Sequence, residues 1–332
     1  QAAFRLISEL KETTDLPIHL HTHDTSGNGL ITLSAAVKAG VDVVDVATSA
    51  MSGATSQPSM SSLYFALQYG DRTPELNLKN VRQINHYWED VRPYYASFEN
   101  GIMAAQTEVY NHEMPGGQYS NLQQQAKAVG LGDKWDEIKE MYQTVNLIGD
   151  IVKVTPSSKV VGDMALFMVQ NELTEEDIYD HGDELSYPES VVSFFQGELG
   201  QPVGGFPEKL QRIILQGRPA MQERPGKFAE PVNFEKVKQE LQELIGFEPS
   251  KTDVLSYVMY PQVFLDYQKS YGQFADVTLL DTPTFFTGMR LGETINVQIE
   301  KGKTLIIRLD EIGEADVEGN RTLFFNLNGQ RR

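Results

Sequence analysis

The 332-residue chain is 40% apolar, carries a formal net charge of −18 and contains no cysteine. These figures exclude a disulfide framework, a thiolate nucleophile and a cysteine-based zinc site, and they argue against binding nucleic acid by phosphate neutralisation. No apolar run of about eighteen residues exists to cross a bilayer, so the composition reads as a soluble protein of about two or three domains.

Residues 1–12 place Phe4, Ile7 and Leu10 at helical spacing, and Thr13, Thr14, Asp15 and Pro17 close that helix. The pattern starts at Gln1 rather than at a methionine, which reads as a fragment whose targeting segment could have been lost. A cytoplasmic setting is the default expectation, with a mitochondrial one open. A strand follows in Pro17-Ile18-His19-Leu20-His21-Thr22-His23, then a turn, then a helix over 29–38 with Leu30, Leu33, Ala36 and Val37 inward and Gly40 at its end. Residues 41–47 read as a second, valine-rich strand. Helix, strand, helix, strand with short links is an α/β pattern on parallel strands. In such folds chemistry gathers at the C-terminal strand ends.

From about residue 80 to 225 the pattern is helical, over 82–98, 120–129, 134–147, 157–171, 175–180, 189–196 and 207–216, without strand alternation. Asp133 and Thr174 are candidate N-caps, the latter with Asp177 three residues on. Residues 221–231 read as a linker. Helices are expected at 234–245 and 252–268, and antiparallel strands at 293–300, 303–309 and 321–327, so a small α+β domain closes the chain.

Three of the six histidines fall within five residues at period two, so His19, His21 and His23 share one strand face. Imidazoles at i and i+2 can share one divalent ion; the bland alternative is a polar interior or hydrogen bonding to backbone. His21 and His23 lie at the strand's C-terminal end and His19 deeper. Asp24 reads either as the partner that orients a histidine ring or as a cap on the next helix. His86, His112 and His181 read as structural. Lys153-Val154-Thr155-Pro156-Ser157-Ser158-Lys159 starts a helix with hydroxyls and amides at its N-terminus. Met114-Pro115-Gly116-Gly117 is either a close backbone approach to a ligand or an ordinary loop.

Four motifs together, His19 to Thr25, Met51 to Pro58, His112 to Tyr119 and Val154 to Asp163, resemble in order the carboxyltransferase domain of the pyruvate carboxylase family. Tyr257 to Pro261 and Leu280 to Gly288 resemble that family's central allosteric, or tetramerisation, domain. The resemblance implies the C-terminal strands of a TIM (β/α)8 barrel at 1–80, a helical funnel subdomain at 81–228 and part of the allosteric domain at 229–332. It implies His21 and His23 as ligands of zinc or manganese, Thr155 as the threonine that moves a proton between biotin and pyruvate, and Ser158 and Lys159 as lining the biotin pocket. It places the remaining ligands, an aspartate and a carboxylated lysine, and the pyruvate-holding arginine and glutamine upstream of Gln1. The biotin carrier domain and the biotin carboxylase domain, which uses ATP and Mg, are absent from this sequence. The implied reaction carries the carboxyl group of carboxybiotin to pyruvate to give oxaloacetate, in a homotetramer built on carboxyltransferase dimers and regulated by acetyl-CoA or cyclic di-AMP, with no nucleic-acid polymer and no membrane. The fragment alone is expected to be inactive. Two alternatives stand beside it: a non-catalytic dimerisation or nucleotide-binding module, and the carboxyltransferase subunit of an oxaloacetate decarboxylase.

Overall fold

The computed structural model describes residues 1–332 except 100, 103, 149–156, 203 and 275, and its contacts divide the chain into two compact units, 1–229 and 230–332. The first unit begins as α/β. Helix α1 (Ala2–Thr13) buries Ile7, and α2 (Gly29–Lys38) buries Leu33 and Ala36. Ile7, Ala36 and Val41 form a small core, flanked by Ile18, Leu20 and Val44. Gly40, at a φ of +99°, lets the chain reverse straight out of α2. Strands β1 (His19–Leu20) and β2 (Val43–Val44) pair in parallel, His19 opposite Val43 and Leu20 opposite Val44. Both are shorter than the alternation predicts, because each has a single paired neighbour among the described residues, and an isolated parallel bridge from Ala47 to Ser59 lies beyond the second. Asp42 secures the entry to β1: its carboxylate accepts from the Ile18 amide at 2.7 Å and from the Lys11 ammonium at 3.0 Å.

Helix α3 (Met60–Leu67) follows, capped by Ser59, then α4 (Leu78–Val91), capped by Asn77. The buried Asn85 side chain of α4 accepts from the Ser49 amide and donates to the Ser61 hydroxyl, pinning the loop after β2. The short α5 (Val109–His112), α6 (Gly116–Ala128), α7 (Trp135–Ile148), α8 (Ser157–Gln170), α9 (Glu175–His181), α10 (Glu189–Gln196) and α11 (Glu208–Leu215) complete the unit. Among the described residues of 81–228 there is no strand, as the periodicity predicts. One apolar core joins α6, α7, α8, α10 and α11 through Leu122, Ile138, Tyr142, Val161, Met168, Phe195 and Ile214. Thr174 forms a capping box with Asp177, whereas Asp133 sits inside a 3-10 turn (Gly132–Lys134) instead of capping α7.

The second unit contains α12 (Phe234–Ile245), α13 (Lys251–Met259), α14 (Pro261–Phe274) and α15 (Thr282–Thr287). The single helix expected over 252–268 is two helices. Pro261 has no amide hydrogen and clashes with the carbonyl four residues back in a continuing helix, so it opens a new one. Leu241, Val254 and Phe264 form the core between α12, α13 and α14. An antiparallel sheet of β3 (Thr294–Glu300), β4 (Lys303–Ala315), β5 (Arg321–Leu327) and β6 (Gln330–Arg331) follows in sequence order.

Candidate metal and carboxyl-transfer site

The end of β1 is assembled from β1, the end of β2, the loop at 51–59 and the N-terminus of α6. The Asp45 amide donates to the Leu20 carbonyl at 3.2 Å, which continues the parallel pairing and sets Asp45 beside His21. By strand parity Asp45 shares the face of His19 and His21. One carboxylate oxygen accepts from His19 Nε2 at 2.7 Å and the other from His21 Nδ1 at 2.6 Å. Those two bonds, His19 first, hold the Asp45 carboxyl below the usual carboxylate range. His23 Nδ1 lies 2.5 Å from the Thr55 carbonyl oxygen.

A carboxylate and a carbonyl only accept, so each of these ring nitrogens carries the hydrogen. In the neutral ring His21 and His23 are therefore both Nδ1–H tautomers, and each keeps its lone pair on Nε2. Their rings stand edge to face with centroids 5.2 Å apart. His19 is the reverse case, since its Nε2 already holds Asp45. The donor chemistry of His21 and His23 fits a divalent first-row ion, for which neutral imidazole is a standard ligand. Among the described residues no group of three or more His, Asp or Glu is placed to complete such a site.

The loop after β2 is zipped onto this end of the strand. Besides the Thr55 contact, the Asp24 amide donates to the Ser56 carbonyl at 2.7 Å. Asp24 itself accepts from the Gly29 amide, the first of α2, at 2.8 Å, although the N-cap position is held by Asn28. Helical elements latch onto the turn that follows. Tyr110 OH bonds Ser26 and Asn28, each at 3.1 Å, and the Gln106 amide donates to the Thr25 carbonyl at 2.8 Å.

Gly116, the first residue of α6, packs against the His23 ring so closely that a Cβ there would stand 2.8 Å from Cγ and Nδ1. The Pro-Gly-Gly motif thus makes a close backbone approach to the protein's own His23 ring. Further along α6, Gln118 and Leu122 crowd Gly162 of α8, where a Cβ would collide with Gln118 Nε2 and stand 3.1 Å from Leu122 Cδ1. Helix α6 therefore touches His23 at its start and α8 one turn later.

Thr155 lies outside the described residues. Ser158 is buried in the first turn of α8, and its carbonyl accepts from the Tyr142 hydroxyl at 3.4 Å. Lys159 is mostly exposed and pairs with Asp163 one turn on, which also accepts from the Ser190 hydroxyl at 2.5 Å. His21 and His23 are brought together, and α6 relates them to the helix of Ser158 and Lys159. His86 and His181 are exposed and His112 is buried. The residue that sequence reasoning missed is Asp45. Its signal was a carboxylate interrupting a valine-rich strand at the parity of the histidine face.

Residues 109–308 match the family model of the conserved carboxylase domain, PYC_OADA. The chain is 59% identical to pyruvate carboxylase of Bacillus subtilis (strain 168) and 56% identical to that of Staphylococcus aureus, covering 100% of this chain and 29% of each relative. Pyruvate carboxylase 1 of Caenorhabditis elegans is 48% identical, again over 29% of its length. The chain thus spans under a third of these relatives. Among solved structures, the carboxyl transferase domain of Rhizobium etli pyruvate carboxylase with pyruvate and biocytin matches with a TM-score of 0.93 at 46% identity, covering 100% of this chain and 56% of that one. The complete multifunctional pyruvate carboxylase of the same organism matches with a TM-score of 0.92 over 33% of its chain.

Proposed function

Because the chain belongs to the conserved carboxylase domain family, we propose that it is the carboxyltransferase portion of a biotin-dependent pyruvate carboxylase, moving a carboxyl group from carboxybiotin to pyruvate to form oxaloacetate. The observation that carries the reading is the pair of Nδ1-anchored imidazoles at the end of β1, in a chain whose structural neighbour holds pyruvate and biocytin. On this reading, residues 1–80 supply the last strands of a TIM barrel, 81–228 a helical subdomain and 229–332 part of an allosteric domain. The parallel β1 and β2 with α1 and α2 packed on them support the first of these.

His21 and His23 would hold zinc or manganese through Nε2, and further donors would come from outside the described residues. The bound ion supplies Lewis acidity that polarises the pyruvate carbonyl. Asp45 and the Thr55 carbonyl keep the two rings in the ligand tautomer, and Gly116 closes over the ring of His23. Thr155 would carry the methyl proton of pyruvate to the ureido nitrogen that gives up the carboxyl group. In balance, the N–C bond of carboxybiotin would break, its electron pair would stay on the ureido nitrogen and take the methyl proton, and one C–C bond would form. Ser158 and Lys159, in the first turn of α8, would line the pocket for the biotin ring. Two relatives above 55% identity are bacterial, and a cytoplasmic setting is part of the proposal.

The test is made on the purified full-length protein. Oxaloacetate should form from pyruvate, ATP and bicarbonate, and avidin should abolish it. Sodium-dependent decarboxylation of oxaloacetate that needs a membrane partner would replace this reading with the decarboxylase one.

A further inference from the structure

The same residue type plays two roles on one strand face, and one carboxylate separates them. Asp45 uses both oxygens, on His19 Nε2 at 2.7 Å and on His21 Nδ1 at 2.6 Å. Because a carboxylate has no hydrogen to offer, the first bond puts the hydrogen of His19 on Nε2 and its lone pair on Nδ1, and the second puts the lone pair of His21 on Nε2, so the two rings present opposite nitrogens. The arrangement is built into the backbone. The His19–Val43 and Leu20–Val44 register and the Asp45 amide bond to the Leu20 carbonyl leave Asp45 flanking His21. The side chains of His19 and His21 are 54% and 56% exposed and that of Asp45 36%. Burial therefore does not hold the rings in place, and directional bonds must.

We propose that Asp45 is the positioning residue of the metal centre: by clamping His19 and His21 together it selects His21 as a ligand, fixes its tautomer and ring plane, and keeps His19 out of the coordination sphere. The inference rests on the metal-site reading above and adds to it a residue outside the ligand set. His19 is a brace in this scheme. It holds the second carboxylate oxygen, so that Asp45 cannot rotate away from His21.

The experiment uses the full-length protein loaded with Co2+, its visible absorption spectrum, and retention of the ion in competition with a chelator. Asp45→Ala should weaken retention about 10- to 100-fold and alter the cobalt spectrum, since the ring of His21 is then free to turn. Asp45→Asn should weaken it less, because the amide oxygen can still accept from His21 Nδ1 while the amide NH2 faces His19. His19→Ala should lose less than Asp45→Ala, because one half of the clamp survives. If Asp45→Ala does not fold by circular dichroism, Asp45→Asn decides: wild-type retention with an unchanged spectrum overturns the proposal. So does wild-type behaviour of a folded Asp45→Ala in a series where His21→Ala loses cobalt. Retention of cobalt by both His21→Ala and His23→Ala would instead overturn the metal-site reading beneath it.

Discussion

The rim around His23 and the helical core behind it hold their residues by different means. At the rim the strands are two residues long, the side chains of His19 and His21 are more than half exposed, and position comes from directional bonds to Asp45 and the Thr55 carbonyl, with the Gly116 backbone packed against the ring of His23. In the helical part position comes from burial: Leu122, Ile138, Tyr142, Val161 and Met168 are fully enclosed, and Ser158 takes its place from the helix that carries it. A ligand ring must meet an ion with one particular nitrogen, which apolar packing cannot specify, whereas hydrogen bonds to acceptor-only groups can. A helix N-terminus that presents amides and hydroxyls needs only to be held rigidly, and a close-packed core does that.

The sharpest break of this comparison is chemical. Thr155→Ala in the full-length protein should lower oxaloacetate formation about 10²- to 10⁴-fold, the usual range for a lost proton-transfer group, while bicarbonate-dependent ATP cleavage continues. Near-wild-type carboxylation would remove Thr155 from the reaction. Next, His21→Ala and His23→Ala should each lose the bound ion by elemental analysis and drop carboxylation more than about 100-fold, with His19→Ala retaining most of its metal. Equal metal content in all three variants would show that strand position does not separate them.

Two substitutions on one helix contrast the regions directly. Leu122→Ala empties a fully buried site and should cost about 2–5 kcal/mol of stability in thermal or denaturant unfolding, leaving metal content of the folded protein unchanged. Gly116→Ala adds a methyl 2.8 Å from the His23 ring, and should cost about 1–3 kcal/mol while also weakening metal retention. If both variants lowered stability and neither touched the metal, Gly116 would belong with the core. The smallest effect is expected at Asp42, whose carboxyl is held below its ordinary value of 3.8, first by the Ile18 amide and then by the Lys11 ammonium. A depressed folded pKa stabilises above the unfolded value and is lost as pH falls through the folded one. Wild type should therefore outlast Asp42→Asn at neutral pH, with the gap closing below about pH 4 in acid unfolding curves.

Much of this was legible in the linear order. Period-two histidines followed by a turn point to a strand-end site, and the seven helical patterns across 82–216 correspond to described helices, because amphipathic spacing and caps such as Thr174 with Asp177 are local properties. The helix broken at Pro261 was readable from the proline itself, although the apolar spacing ran through it. Asp133 is no cap because it lies inside a 3-10 turn, closed by the Lys134 amide on the Leu131 carbonyl.

What the sequence determined by itself is which residue types could do the chemistry and which strand end they occupy, since side-chain alternation and turn residues follow from the chain alone. Which nitrogen each histidine offers was decided only by tertiary structure. Asp45 comes from the end of the neighbouring strand and Thr55 from the loop beyond it. A ring's tautomer is written by the acceptor it meets, and those acceptors are neighbours in space and not in sequence.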